Sequence, residues 1–453
     1  MGAAIDPKEW LSRRWGNAWL VGLDNQRFWG EIRERLAVLA NHPSPRPLVL
    51  IAEAEPVGFL AGALAAIAHG SPLVLANPAW GKHEWQQVRS FLSPEIVWGS
   101  ACAFPNSTVQ PRLTPGSILI ATGGSSGQIK FAIHTWDTLT ASAIGFQTHF
   151  HADRVNAYCV LPLHHVSGFM QVVRVLATDG FLAVQSFGDL VAGSPLALPD
   201  PAFLSLVPTQ LRQLMPSLQK TIWLSQFEAV LLGGGPAWPE LLQQARDRRL
   251  PLAPTYGMTE TAALVAALSP EAFLAGTTGT LPMAHAAISI CDAQGTPQAA
   301  DSIGRIHLQA LSLFRGYWPP QPGTGHGPFV TDDLGYLNGN GYLQVVGRAS
   351  TKIISGGENI FPAEVETAIL ETDCGDEACV IGLPDPVWGQ AVTAIVVTTY
   401  PLPDLVQALK PRLSRYKQPK HWVVLPAIPR NPQGKINRAA IAELAADILS
   451  LKK

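Results

Sequence analysis

Between Ile118 and Trp136 the sequence reads ILIATGGSSGQIKFAIHTW. An apolar run enters Thr122-Gly123-Gly124-Ser125-Ser126-Gly127, and Lys130 follows three residues on. Residues this small let backbone N–H groups close around anionic oxygens, the hydroxyls add donors, and the lysine supplies charge. The chemistry suggested is phosphate binding, with a plain flexible turn as the alternative that this segment alone leaves open. A P-loop of the NTPase kind is excluded: that motif needs Lys-Ser or Lys-Thr directly after its last glycine, and Gly127 is followed by Gln128-Ile129.

Four further segments stand out. Tyr256-Gly257-Met258-Thr259-Glu260 follows an apolar run, and Thr331-Asp332-Asp333 precedes Gly335-Tyr336. Gly347-Arg348 leads into Ile354-Ser355-Gly356-Gly357-Glu358-Asn359-Ile360-Phe361-Pro362, and Pro432-Gln433-Gly434-Lys435-Ile436-Asn437-Arg438 lies near the C-terminal end. In this order and at these separations the five segments resemble the adenylate-forming superfamily of acyl-CoA synthetases, peptide-synthetase adenylation domains and luciferases. The resemblance runs from about Leu48 to Arg438. It implies a first step in which a carboxylate displaces pyrophosphate from ATP to give an acyl-adenylate.

The resemblance also implies a role for each match. Thr122, Gly123, Gly124, Ser125, Ser126, Gly127 and Lys130 would wrap the β- and γ-phosphates of ATP. Gly233-Gly234-Gly235 would let adenine approach the backbone where a Cβ would obstruct it, and Tyr256, beside Gly257, would stack on the base. Thr259 would donate to a phosphate oxygen, and Glu260 would help hold Mg²⁺, a hard cation that prefers carboxylate and water oxygens. Asp333 would take the ribose hydroxyls with Arg348 in support. Lys435 would neutralise charge as the carboxylate attacks the α-phosphorus. His165, in Leu163-His164-His165-Val166-Ser167-Gly168, matches the family's aromatic-His-x-x-Gly pattern beside the acyl pocket. His149 and His151 lack a third metal ligand and read as surface residues.

Ser355 to Asn359 and Val380 to Gln390 look like the CoA ligase branch, in which the small domain rotates after adenylation. The rotation would swing Lys435 out and bring the Gly356-Gly357 loop up to guide the thiol of coenzyme A. No carrier domain follows Lys435, which argues against a peptide-synthetase module. Within the branch, His165 to Arg174, Leu206 to Gln210, Leu231 to Pro236 and Ile354 to Glu364 resemble the o-succinylbenzoate–CoA ligase family of menaquinone and phylloquinone biosynthesis. Such a substrate carries a second carboxylate that must be held; Arg174 is the candidate, with a structural arginine on a buried helix as the alternative. Another carboxylic acid on the same scaffold, or a relative that binds without turnover, are the competing readings. Five positions depart from the family's usual residues: Gly123 for Ser, Ile129 for Pro, Phe131 for Gly, Asp332 for Gly, and Ser350 where an acidic residue or Lys is more usual.

These residues need a frame. Leu48 to Ala52, the helical Pro56 to His69 and Leu73 to Ala76 make a strand–helix–strand unit of the parallel-sheet kind. The alternation recurs through Ser117–Ile120, Asp137–Phe150 and Ala157–Leu161, then Phe203–Val207, Thr209–Leu218, Ala229–Leu232 and Trp238–Arg248. From about Ala286 short strands and turns take over, and beyond Thr351 lies a compact mixed tail. The fold class expected is α/β: a large multi-layered N-terminal α/β body, 1–348, and a small C-terminal α+β domain, 351–453, hinged near 349–350.

Composition agrees with an enzyme of small molecules. Of 453 residues, 47% are apolar and only 15% charged, with a net charge of −2, so a nucleic-acid footprint is missing. The apolar window Val57 to Ala68 is too short for a membrane span, which needs about 20 residues, and no signal peptide is evident. Of the five cysteines only Cys374 and Cys379 are close, with no second pair near to complete a zinc site, so all read as free thiols and a reducing, cytoplasmic setting is expected. The expected partners are a small carboxylic acid, ATP, Mg²⁺ and coenzyme A; oligomeric state is left open.

Overall fold

The computed structural model describes residues 6–100, 113–123, 128–235, 237–321, 327–372, 374–430 and 436–450. Its most apolar helix is Pro56–His69, in which every residue from Val57 to Ala68 is buried. The Glu55 carboxylate caps the helix by accepting from the Val57 and Gly58 N–H groups, Pro56 fills the first turn, and Gly70 ends it at φ +78°. A helix that is apolar all round must be covered on every side. Two sheets supply the cover, and one core cluster joins this helix to residues of both.

The first sheet runs Tyr317–Trp318, Ile129–His134, Ile118–Gly123, Leu73–Leu75, Val49–Ala52, Ile96–Gly99. The second runs Leu20–Val21, Leu182–Val184, Asn156–Cys159, Ala202–Leu206, Ala229–Leu232, Leu252–Met258, Ala263–Ala267, Leu281–Pro282. It is parallel up to Leu252–Met258, where the chain reverses and pairs antiparallel with Ala263–Ala267. A four-stranded antiparallel sheet, from Ala286–Cys291 to Leu343–Arg348, completes the body. The tail builds its own five-stranded sheet, packed on the helices Pro362–Leu370 and Leu402–Leu409 in a separate core. A large layered α/β body with a small mixed C-terminal domain is therefore the architecture.

Three local readings change. The helix expected over Thr209–Leu218 is two, Pro208–Leu214 and Leu218–Leu224, because Pro216 lacks the N–H and ring clearance a helix interior needs. The strand expected over Ser117–Ile120 continues to Gly123 and is answered by a second strand, Ile129–His134, so the glycine-rich segment links a hairpin rather than a strand and a helix. His149 is half-buried against Phe150, not a surface residue; His151 is exposed. Cys159, Cys291, Cys374 and Cys379 are free thiols; Cys102 lies outside the described residues.

Candidate active site

Pairing register places the first group of side chains. Thr122 stands opposite Lys130 in the hairpin, and Tyr317 stands opposite Ala132 on the next strand. Side chains two apart on a strand share a face, so Thr122, Lys130 and Tyr317 project from one face of the first sheet. Glu260 meets them there. Tyr317 Oη donates to Glu260 Oε1 at 2.6 Å, Thr122 Oγ1 lies 3.5 Å from the same oxygen, and the Lys130 ammonium sits 3.8 Å from the centre of the Tyr317 ring. Gly124, Ser125, Ser126 and Gly127 lie outside the described residues, as does Lys435.

Glu260 is held by a turn that tolerates little change. The Tyr256-Gly257 bulge brings the reversing strand so close that a Cβ on Gly257 would lie 1.7 Å from the Ala263 carbonyl oxygen. Ala262 and Ala263 adopt left-handed φ of 51° and 70°, costly for residues with a side chain. The Ser142 hydroxyl donates to the Ala262 carbonyl at 2.7 Å, and the Thr261 hydroxyl bridges the Met258 N–H and the Ala263 carbonyl. On the other side His134 Nε2–H donates to the Thr259 carbonyl at 2.8 Å; burial pulls this imidazole down to about 4, so it stays neutral. Thr259 is thereby fixed through its backbone.

A second group forms further along the same strand. Tyr256 Oη donates to Asp333 Oδ2 at 2.8 Å, and Arg348 Nε, opposite Asp333 in the ladder, donates to Oδ1 at 3.2 Å. Burial and the Asp333 charge push the Tyr256 phenol up, so it remains a donor. Gly233 follows the parallel strand Ala229–Leu232, where a Cβ would meet Thr255 Oγ1 at 2.4 Å; Gly234 is at φ +80° and Gly235 has open space. Both groups thus gather at the carboxyl ends of the parallel strands, where α/β sheets bind ligands.

His165 is the residue before the helix Val166–Ala177, its ring 4.6 Å from that of His164. Gly168 is required by the approach of the Pro162 carbonyl, 2.2 Å from where its Cβ would be. Burial and the neighbouring His165 lower His164 to about 3. Arg174, on the same helix, is 3% exposed, lies 4.3 Å over the Phe146 ring, and has no carboxylate partner among the described residues. Among the described residues its Nε makes no hydrogen bond, and neither does Oε1 of the buried Gln171 one turn earlier. Burial alone lowers Arg174 to about 9, so it carries its charge at neutral pH, and that charge adds to the burial that lowers nearby His285 to about 4.

Gly356 and Gly357 form the two-residue turn of the hairpin Ile353–Ser355 and Glu358–Ile360, at φ +59° and +86°. They belong to the C-terminal sheet, Gly356 lying against the Trp388 ring, and among the described residues no hydrogen bond joins them to Glu260 or Asp333. The departures are accommodated. Phe131 is fully buried against Trp80 and Phe91, and the Ile129 N–H donates to Gln87. Asp332 is in the extended strand Phe329–Leu337, where no glycine is needed; its carboxylate accepts from the Ser350 N–H at 3.2 Å and from the Ser350 hydroxyl. Two departures are thus partners.

Sequence reasoning missed Tyr317, His134, Ser142 and Thr255. Only Tyr317, in Arg315-Gly316-Tyr317-Trp318 beside a glycine, offered a visible signal.

Residues 100–318 match the AMP-binding enzyme family and residues 364–435 its C-terminal domain. The 2-succinylbenzoate–CoA ligase of Enterococcus faecalis is 34% identical over 333 residues, 70% of this chain and 67% of that protein. The same ligase of Geobacillus kaustophilus is 32% identical over 365 residues, 77% and 74%. The o-succinylbenzoate CoA synthetase of Bacillus subtilis, solved with the acyl-adenylate intermediate OSB-AMP, superposes with a TM-score of 0.80 at 25% identity, covering 95% of this chain and 97% of that one. On sequence and on fold together, the chain belongs to the AMP-binding, adenylate-forming family of enzymes.

Proposed function

We propose that the chain is an acid–thiol ligase that activates o-succinylbenzoate with ATP and passes the acyl group to coenzyme A, a step of menaquinone or phylloquinone biosynthesis. The observation that carries the acid is Arg174, a buried guanidinium without a carboxylate partner among the described residues. An unpaired buried charge is costly, and the second carboxylate of a dianionic acid relieves that cost. The relatives' shared activity supports the same substrate.

In the first half-reaction the succinyl carboxylate attacks the α-phosphorus and pyrophosphate leaves; in the second the thiol attacks the acyl carbon and AMP leaves. Asp333, steadied by Tyr256 and Arg348, takes the ribose hydroxyls, while Gly233 to Gly235 admit the base. Lys130 and the Thr122 hydroxyl face the β- and γ-phosphates. Thr259 donates to a phosphate oxygen, and His165 borders the acyl pocket. Among the described residues no cluster of His, Cys, Asp and Glu could hold a metal alone. A single buried carboxylate, Glu260, suits Mg²⁺, which keeps its waters and binds through one or two carboxylates and the substrate's phosphates; when bound it neutralises charge on the departing pyrophosphate. Lys435 stabilises the transition state of the first half-reaction, and the Gly356-Gly357 turn guides the thiol in the second. The two units, 1–348 and 351–453, turn about 349–350 between them.

No described helix is long and apolar enough to cross a membrane, and a cytoplasmic site of action fits the free thiols. Incubation with o-succinylbenzoate, ATP, Mg²⁺ and coenzyme A is expected to release AMP and pyrophosphate. No turnover with that acid, beside turnover of another in a panel of carboxylic acids, overturns the substrate.

A further inference from the structure

We propose that Tyr317 is a positioning residue that keeps the phosphate-loop lysine and the metal-side carboxylate apart, each ready for its own ligand. The inference rests on the reading of Glu260 and Lys130 given above. Lys130 and Glu260 meet opposite parts of one phenol: the ammonium lies 3.8 Å from the ring centre and the carboxylate oxygen 2.6 Å from the hydroxyl. Groups of opposite charge this near in a partly buried site attract strongly, yet they form no ion pair among the described residues. A direct pair would neutralise both and compete with Mg²⁺·ATP. A ring face and a phenolic O–H instead stabilise each group without cancelling its charge.

Tyr317 is itself fixed for this task. Its strand pairs with Ile129–His134 through Tyr317↔Ala132 and Trp318↔Phe131, the strand that carries Lys130. The Phe314 N–H donates to the Glu260 carbonyl at 2.9 Å, and the Phe314 ring meets the Tyr317 ring edge-on at 4.7 Å. The segment therefore grips Glu260 by backbone and by side chain. Among the described residues, both hydrogen bonds to the carboxylate end on Oε1, which leaves Oε2 as its unbonded oxygen.

Two variants of the full chain separate the hydroxyl from the ring. Calorimetric titration with ATP, in chelator and in Mg²⁺, reads each. Tyr317→Phe is expected to leave Mg²⁺-free ATP affinity within about twofold and to weaken Mg²⁺·ATP about tenfold, the loss of one charge-assisted hydrogen bond. Tyr317→Leu, which frees Lys130 to pair with Glu260, is expected to weaken both. Wild-type Mg²⁺·ATP binding by Tyr317→Phe overturns the proposal. So does an equal loss with and without Mg²⁺ accompanied by a lower unfolding midpoint, which marks a merely structural tyrosine. Glu260→Gln separates the two layers: if it leaves the Mg²⁺ dependence untouched, the metal reading of Glu260 has failed; if it abolishes that dependence while Tyr317→Phe does not weaken it, only the tyrosine's role has.

Discussion

The two ends of the proposed site are finished to different degrees. At the nucleotide end each charged group already has a protein partner: Asp333 has Tyr256 and Arg348, Glu260 has Tyr317 and Thr122, and Lys130 has a ring face. Where we propose that the acid binds, buried polar atoms of His164, Gln171 and Arg174 make no hydrogen bond among the described residues. On the proposed function the first arrangement is preorganised, so ATP would meet groups that need not move. The second stores a desolvation cost that only a ligand with matching groups removes, and sites of that kind reject analogues lacking them most strongly. Tolerance and selectivity thus sit at opposite ends.

The contrast can be tested from outside both ends. Lys435→Ala is expected to slow adenylation by about 10²–10³-fold, the scale of one lost transition-state donor, while sparing thioester formation from supplied acyl-adenylate. Single-turnover assays of each half-reaction check it, and equal losses contradict the division of labour. Arg174→Met should raise the KM for o-succinylbenzoate about 10²-fold and leave that for ATP within about twofold, since a buried charge-pair partner is worth several kcal/mol. The same change should stabilise the ligand-free protein by about 1–4 kcal/mol in denaturant titrations, because it removes an unpaired buried charge. Asp333→Asn should do the reverse at the other end: ATP KM up about tenfold, acid KM unchanged.

Acidity probes the same contrast. Burial holds His134 and His285 at about 4 and His164 at about 3, below the ordinary 6.5. Between those values the unfolded chain binds protons that the folded one refuses, so stability is full above pH 6.5 and falls as pH drops toward 4. Unfolding midpoints across that window measure the slope, and His285→Gln should flatten it. The smallest effect is expected at Ser350, where Ser350→Ala, the loss of an exposed hydrogen bond, should change stability by less than about 0.5 kcal/mol.

Much of the nucleotide end was legible because its constraints are local. Gly257 cannot be replaced beside the Ala263 carbonyl, and Glu260 and Asp333 each lie within short runs of unusual composition. Tyr317 was not legible, because its role depends on a strand register with Ala132 that no local pattern records. Pro216 was present in the sequence, yet apolar periodicity on both sides hid the break between Pro208–Leu214 and Leu218–Leu224. Arg174 was legible as a candidate, but that no carboxylate pairs with it among the described residues is a fact of packing alone.

The Asp332–Ser350 contact has a consequence for transplants. In this chain the carboxylate of the pair is on Asp332 and the hydroxyl on Ser350; a small domain with an acidic residue at position 350 would place a second carboxylate against the first. In such a chimera the like charges repel or must share a proton. A graft carrying lysine there would instead gain an ion pair. A graft onto this chain therefore needs residues 332 and 350 chosen together.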